Sequence, residues 1–242
     1  MDRVLNLIKS DYKETQKRIL PRFPFTYLTF KDNHPDCSNH VFEVKDISYT
    51  GMQLIKKDGE LGYALNSRIE GELHWKGISL RLQGLVKWVN GNTLGVGFSK
   101  DIDFVESIQN FFSVENIISS MKPIHKAQMD IDIPANLRYW IRGDGQVEVF
   151  VWQHNDHEFM KFVIIFLRRF VEWEDAKGIQ SGKIIVNRDI DTPLSQEDEF
   201  VFEIDQKLDQ EKIDFSLQLV RNMTDELLPQ HVREFLLFKL GL

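Results

Sequence analysis

Two groups of residues have types and spacings that can do chemistry. Lys17-Arg18-Ile19-Leu20-Pro21-Arg22 holds two guanidinium groups in R-x-x-x-R spacing, with a lysine beside the first. Pro21 lacks an N–H and disfavours helical geometry just before it, so these arginines ride an extended or turning segment that can wrap over a ligand. An arginine fork meets a pair of acceptors bidentately, which suits phosphate oxygens or the O6/N7 edge of guanine. Further along, Asp46-Ile47-Ser48-Tyr49-Thr50-Gly51 reads D-x-S-x-x-G. A carboxylate at Asp46 fits the N1/N2 donor edge of guanine, and Ser48 adds a short, rotatable hydroxyl. Gly51 removes a side chain where a flat base approaches the backbone.

Other polar groupings carry less. His34, Cys37 and His40 offer donor types that zinc accepts, but they are one ligand short of a closed site and lie in the polar stretch KDNHPDCSNH, which reads as a loop. His154 and His157 flank Asn155 and Asp156 just ahead of a segment with helical spacing, so the latter pair reads as a helix cap. GIQSGK, at 178–183, imitates a phosphate loop but lacks a residue and the following Ser or Thr, and it leads into a strand. Asp130 and Asp132 alternate with Met129, Ile131 and Ile133 as the wet face of a strand does. No grouping carries an enzyme, and the expectation is of no catalytic residue, no metal and no cofactor.

The elements that must position the two motifs follow from periodicity. Val4, Leu5, Ile8 and Tyr12 share one helical face over residues 2–16. After Pro21 and Pro24 come six short alternating runs, FPFTYLTF, HVFEVKDIS, GMQLIKK, RIEGELHW, ISLRLQGLVKWV and LGVGFS, separated by Gly, Asn and Asp signals. Such a series is the mark of a small antiparallel barrel or sandwich, and Asn90-Gly91-Asn92 supplies one tight hairpin. DIDFVESIQNFFSVENIISSM is expected as a closing helix, with Asp101 or Asp103 as its cap, and Pro123 marks the boundary after it. Beyond it, ANLRYWI and VEVFVWQ form a hairpin about Arg142-Gly143-Asp144-Gly145. The spacing of Phe159, Phe162, Val163, Phe166, Phe170 and Trp173 predicts a long helix over 155–177. KIIVNR and FVFEID read as strands, IDFSLQL fits strand or helix, and VREFLLFKL is a terminal helix. The halves show no internal repeat.

The R-x-x-x-R and D-x-S-x-x-G pair, in this order and set within a six-strand pattern and closing helix, resembles the PilZ domain, the bacterial receptor module for cyclic di-GMP. The resemblance covers residues 15 to about 120, and no motif position is lost. It implies a ligand site at Lys17, Arg18, Arg22, Asp46, Ser48 and Gly51, with cyclic di-GMP as the ligand. Lys17 bears on whether one ligand or a stacked pair binds, because it can contact a second phosphate. The expected fold class is therefore α+β with two domains: an N-terminal helical segment over 1–16, a six-stranded antiparallel PilZ β-barrel with its closing helix over 17–121, and a C-terminal α+β domain over 124–242. The alternative is a PilZ barrel that binds no nucleotide and serves as a structural or protein-interaction module.

Composition sets the limits. The 242 residues, with 42% apolar, 12% aromatic and 28% charged side chains, suit folded domains and exclude disorder or collagen-like order. The net charge of −7 belongs to the second half, because residues 1–120 balance. A pI near 5.5 without a basic stripe speaks against a duplex DNA partner, while a small anion needs only a few local cations. The longest apolar stretch, Phe162 to Leu167, falls far short of the roughly 20 residues of a membrane helix. The expected setting is the bacterial cytoplasm, the single Cys37 agreeing with a reducing compartment. The expected output is a protein partner met through the C-terminal domain.

Overall fold

The computed structural model describes residues 15–21, 28–33, 40–56, 62–75, 78–99, 102–126, 134–143, 147–185 and 197–241. The expected N-terminal helix falls outside them up to residue 14, and Thr15 and Gln16 open a strand, β1 (Thr15–Pro21). The six alternating runs then form β2 (Thr29–Asp32), β3 (Val41–Ser48), β4 (Gly51–Ile55), β5 (Arg68–Trp75), β6 (Ile78–Asn90) and β7 (Thr93–Phe98). They close into an antiparallel barrel in the order β2-β3-β4-β7-β6-β5, sealed by the pairing of β2 with β5. Every second side chain points inward, so Phe30, Phe42, Leu54, Ile69, Val86 and Leu94 are fully buried. Gly91, with φ 55°, turns β6 into β7 at the predicted hairpin.

The segment expected as one closing helix is two, α1 (Ile102–Phe111) and α2 (Val114–Ser120). Ser113 breaks it, because its hydroxyl accepts the Asn116 N–H at 3.4 Å and so caps a new helix. Of the two cap candidates, Asp103 lies within the first turn of α1 and Asp101 lies outside the described residues. Phe111 and Phe112 pack against Trp75 at ring distances of 5.6 and 5.8 Å and stopper the barrel.

The chain then enters β8 (Lys122–Pro123), β9 (Leu137–Gly143), β10 (Val147–Gln153), β11 (Phe159–Phe166), β12 (Arg169–Glu174), β13 (Gly178–Ile185) and β14 (Glu197–Ile204). These strands form one antiparallel sheet in which β1 is the last member, in the order β1-β14-β13-β12-β11-β10-β9-β8. The long helix expected over 155–177 is the β11–β12 hairpin. Phe162 and Phe166 lie on one face, Val163 and Ile165 on the other, and all four are buried. A strand buried on both sides is continuously apolar, and such a run satisfies helical spacing as readily as strand spacing. Without a helix at that place, Asn155 and Asp156 cap nothing. Asp156 instead accepts the Glu158 N–H at 3.1 Å in the β10–β11 turn.

The ambiguous segment is helix α3 (Gln210–Asn222), followed by α4 (Gln230–Leu240). Asp209 decides it by accepting the N–H groups of Glu211 and Lys212 at 3.0 and 3.4 Å. Phe215 stacks on Phe166 at 4.3 Å and Phe235 on Phe159 at 3.9 Å, which fixes both helices to one face of the large sheet. The buried cluster under them runs without interruption through α2 and α1 into the barrel.

Candidate functional site

Asp46, Ser48 and Gly51 come together where β3 turns into β4. Ser48 pairs with Gly51, leaving Tyr49 and Thr50 as the connection. The Ser48 hydroxyl accepts the Thr50 N–H at 3.3 Å and reaches the Gly51 carbonyl at the same distance, so the turn is closed by its own side chain. A register shift between Val44 and Asp46 makes Lys45 a bulge residue, and such an insertion re-aims the side chains beside it. Gly51 has a reason to be glycine that does not involve a ligand. A Cβ there would stand 2.5 Å from the carbonyl oxygen of Val96 on β7.

Asp46, Ser48, Thr50 and Gln53 line a cleft of about 330 Å³, and Lys87 and Trp88 of β6 line it with them. A second bulge, at Lys87, accompanies these two residues. The glycines of the L-G-V-G-F strand make room for both. A Cβ on Gly95 would meet the Trp88 indole at 2.1 Å, and one on Gly97 would meet the Lys87 stem at 2.7 Å. Trp88 stays 40% exposed, a planar surface on which a base can stack.

The remaining wall comes from the large sheet. Arg168, at the tip of the β11–β12 hairpin, lines the cleft and sets its Nε 3.1 Å from Asp46 Oδ2. Leu167 and Arg168 both have positive φ, 46° and 66°, although neither is Gly or Asn. That conformation costs an ordinary side chain roughly 1–2 kcal/mol per residue, and the buried Leu167 holds it in place. The neighbouring Arg169 lies over the Tyr49 ring at 5.4 Å, so two consecutive arginines of one hairpin meet two residues of the D-x-S-x-x-G turn. Burial pushes the Tyr49 phenol above its ordinary range, and the charge of Arg169 pulls it part of the way back. The lining holds two cations, Lys87 and Arg168, against the single carboxylate of Asp46.

Lys17 and Arg18 are placed by their backbone in β1, paired with Val201 and Phe200 of β14, and so belong to the large sheet and not to the barrel. Arg22 lies outside the described residues. The Ile184 N–H donates to the Arg168 carbonyl at 2.8 Å, and the register continues from Ile184 to Phe202 and from Phe202 to Gln16. Lys17 and Arg18 therefore follow, along β1, the row that contains Arg168. Three interstrand spacings, roughly 14 Å, separate the two strands that carry them.

Sequence reasoning missed Lys87, Trp88 and Arg168. The first two had a signal, a K-W pair in one strand facing alternating glycines in the next. Arg168 had none once its hairpin read as the polar side of a helix. Of the zinc-type residues, His34 and Cys37 lie outside the described residues, and His40 Nε2 stands 3.4 Å from Lys56 Nζ. Among the described residues, no group of three His, Cys, Asp or Glu is placed to hold a metal ion, and no helix is long and apolar enough to cross a membrane. No family model matches the chain, and no curated protein matches it either.

Proposed function

We propose that the protein is a cyclic di-GMP receptor of the PilZ type, cytoplasmic and without enzymatic activity. In this reading the dinucleotide is held through Lys17, Arg18, Arg22, Asp46, Ser48 and Gly51, and signals to a protein partner through residues 124–242, which build the large sheet together with β1 and β8. The observation that carries it is the cleft on a closed six-stranded barrel, lined by Asp46, Ser48 and Gly51 with an excess of cationic side chains. Asp46 serves as acceptor for the N1/N2 edge of one guanine, and Trp88 offers its face to a base. The arginines of the first motif supply forks for phosphate or for O6 and N7.

Isothermal titration of the full chain with cyclic di-GMP tests this. Wild-type protein binds, while Arg18→Ala, Arg22→Ala and Asp46→Ala each bind at least about tenfold more weakly, the scale of one lost charged hydrogen bond. Cyclic di-AMP binds far more weakly, because adenine presents a donor where guanine has O6. No binding to wild type removes the reading, and equal binding of cyclic di-AMP removes guanine readout. A second reading, a barrel whose motif turn only docks the large sheet, draws on the Arg168–Asp46 and Arg169–Tyr49 contacts.

A further inference from the structure

We infer that Arg168 is a ligand-binding residue that the large sheet contributes to the barrel's cleft, its guanidinium taking a phosphate of the bound dinucleotide. The inference rests on the cyclic di-GMP reading and adds to it a contact that neither motif contains. Arg168 Nε is buried against Asp46, yet the side chain as a whole is 41% exposed. The exposure lies elsewhere on a side chain whose terminal amines carry four of the five N–H donors of the fork. The ion pair with Asp46, 3.1 Å at Nε but without a hydrogen bond there, keeps the guanidinium at the cleft wall, so less rotamer freedom is lost when an anion arrives.

The hairpin has the features of a positioning device. Its tip holds two residues in left-handed geometry that asparagine or glycine would adopt more readily, with Leu167 buried beneath and Arg169 seated on Tyr49. Charge points the same way. Without Arg168 the cleft balances Lys87 against Asp46 and offers a dianionic ligand no net attraction; with it the lining is cationic. A dinucleotide bound there touches barrel and large sheet at once, so its binding energy depends on how the hairpin meets the β3–β4 turn.

Titration of the full chain with cyclic di-GMP, with circular dichroism and thermal melting on each variant, decides the matter. Arg168→Ala binds at least about tenfold more weakly than wild type. Arg168→Lys recovers most of the loss, because a phosphate accepts a point charge where a guanine edge needs the planar fork. Arg169→Ala, which loosens the hairpin's seat on Tyr49 without removing a group from the cleft, costs clearly less than Arg168→Ala. If Arg168→Ala melts early, Arg168→Gln replaces it as the variant that keeps a polar stem without the charge. Unchanged or tighter binding by the neutral variants overturns the inference and makes Arg168 a competitor for Asp46. A lysine variant as weak as the alanine variant overturns the phosphate assignment, and an equal loss in Arg169→Ala reduces the effect to docking. Absence of binding in wild type fails the cyclic di-GMP reading itself, and the inference with it.

Discussion

A single methyl group at residue 51 is enough to separate folding from ligand chemistry. Gly51→Ala brings a Cβ to 2.5 Å from a carbonyl oxygen of the next strand, so β4 and β7 must part. The expected cost is about 1–3 kcal/mol in urea unfolding, with or without nucleotide. His125 gives a pH test. Burial holds its pKa below the ordinary value, the backbone of Trp140 working against that and the charge of Lys126 adding to it. With the folded pKa below an unfolded value of about 6.5, the unfolded chain binds the proton first. The stabilisation from a neutral His125 is thus fully present above about pH 6.5 and is lost as pH falls through the lowered folded value. Wild type should lose stability on acidification faster than His125→Gln, as read from melting temperatures between pH 7.5 and 5. Parallel curves for the two proteins would refute the assignment.

At the scale of elements, α3 depends on its first turn and on an ion pair whose lysine is buried. Asp209→Ala removes the acceptor for two N–H groups and should cost about 1 kcal/mol. Lys212, 2% exposed, pairs with Asp205, which also accepts the Ser181 hydroxyl at 2.7 Å. Lys212→Ala leaves that partly exposed carboxylate without its counter-charge and should cost about 2 kcal/mol, more than the loss of the cap. Urea titration of both variants checks the order. The same elements show what was legible in the sequence. The barrel was, because strands such as β4 and β5 bury every second residue, although β7 is buried along nearly its whole length. The β11–β12 hairpin was not, since Phe162 to Leu167 is apolar throughout and the turn at Leu167-Arg168 has no Gly, Asn or Pro to announce it. In the candidate site, the D-x-S-x-x-G half is local in sequence and was found whole. Arg168 joins it only through tertiary packing, and no spacing in the chain encodes that.

For the whole molecule, the barrel interrupts the large sheet. The chain lays down β1, leaves to build β2 through β7, and returns at β8 on the opposite edge. A fragment of residues 124–242 therefore lacks β1 and exposes β14 as an edge with unpaired N–H and C=O groups. We expect it to melt below the intact chain and to self-associate in size-exclusion chromatography. A monomeric fragment with an unchanged melting temperature would show β1 to be dispensable.

The pairing of Thr15 with Glu203 also sets a clock. A ribosome adding about 5–20 residues per second needs roughly ten to forty seconds to travel from one to the other. The barrel can close during that interval, while the strand bearing Lys17 and Arg18 waits for its partner. A nascent chain thus holds its aspartate turn long before the strand bearing Lys17 and Arg18 is paired, and any cleft that needs both waits until β14 has been made.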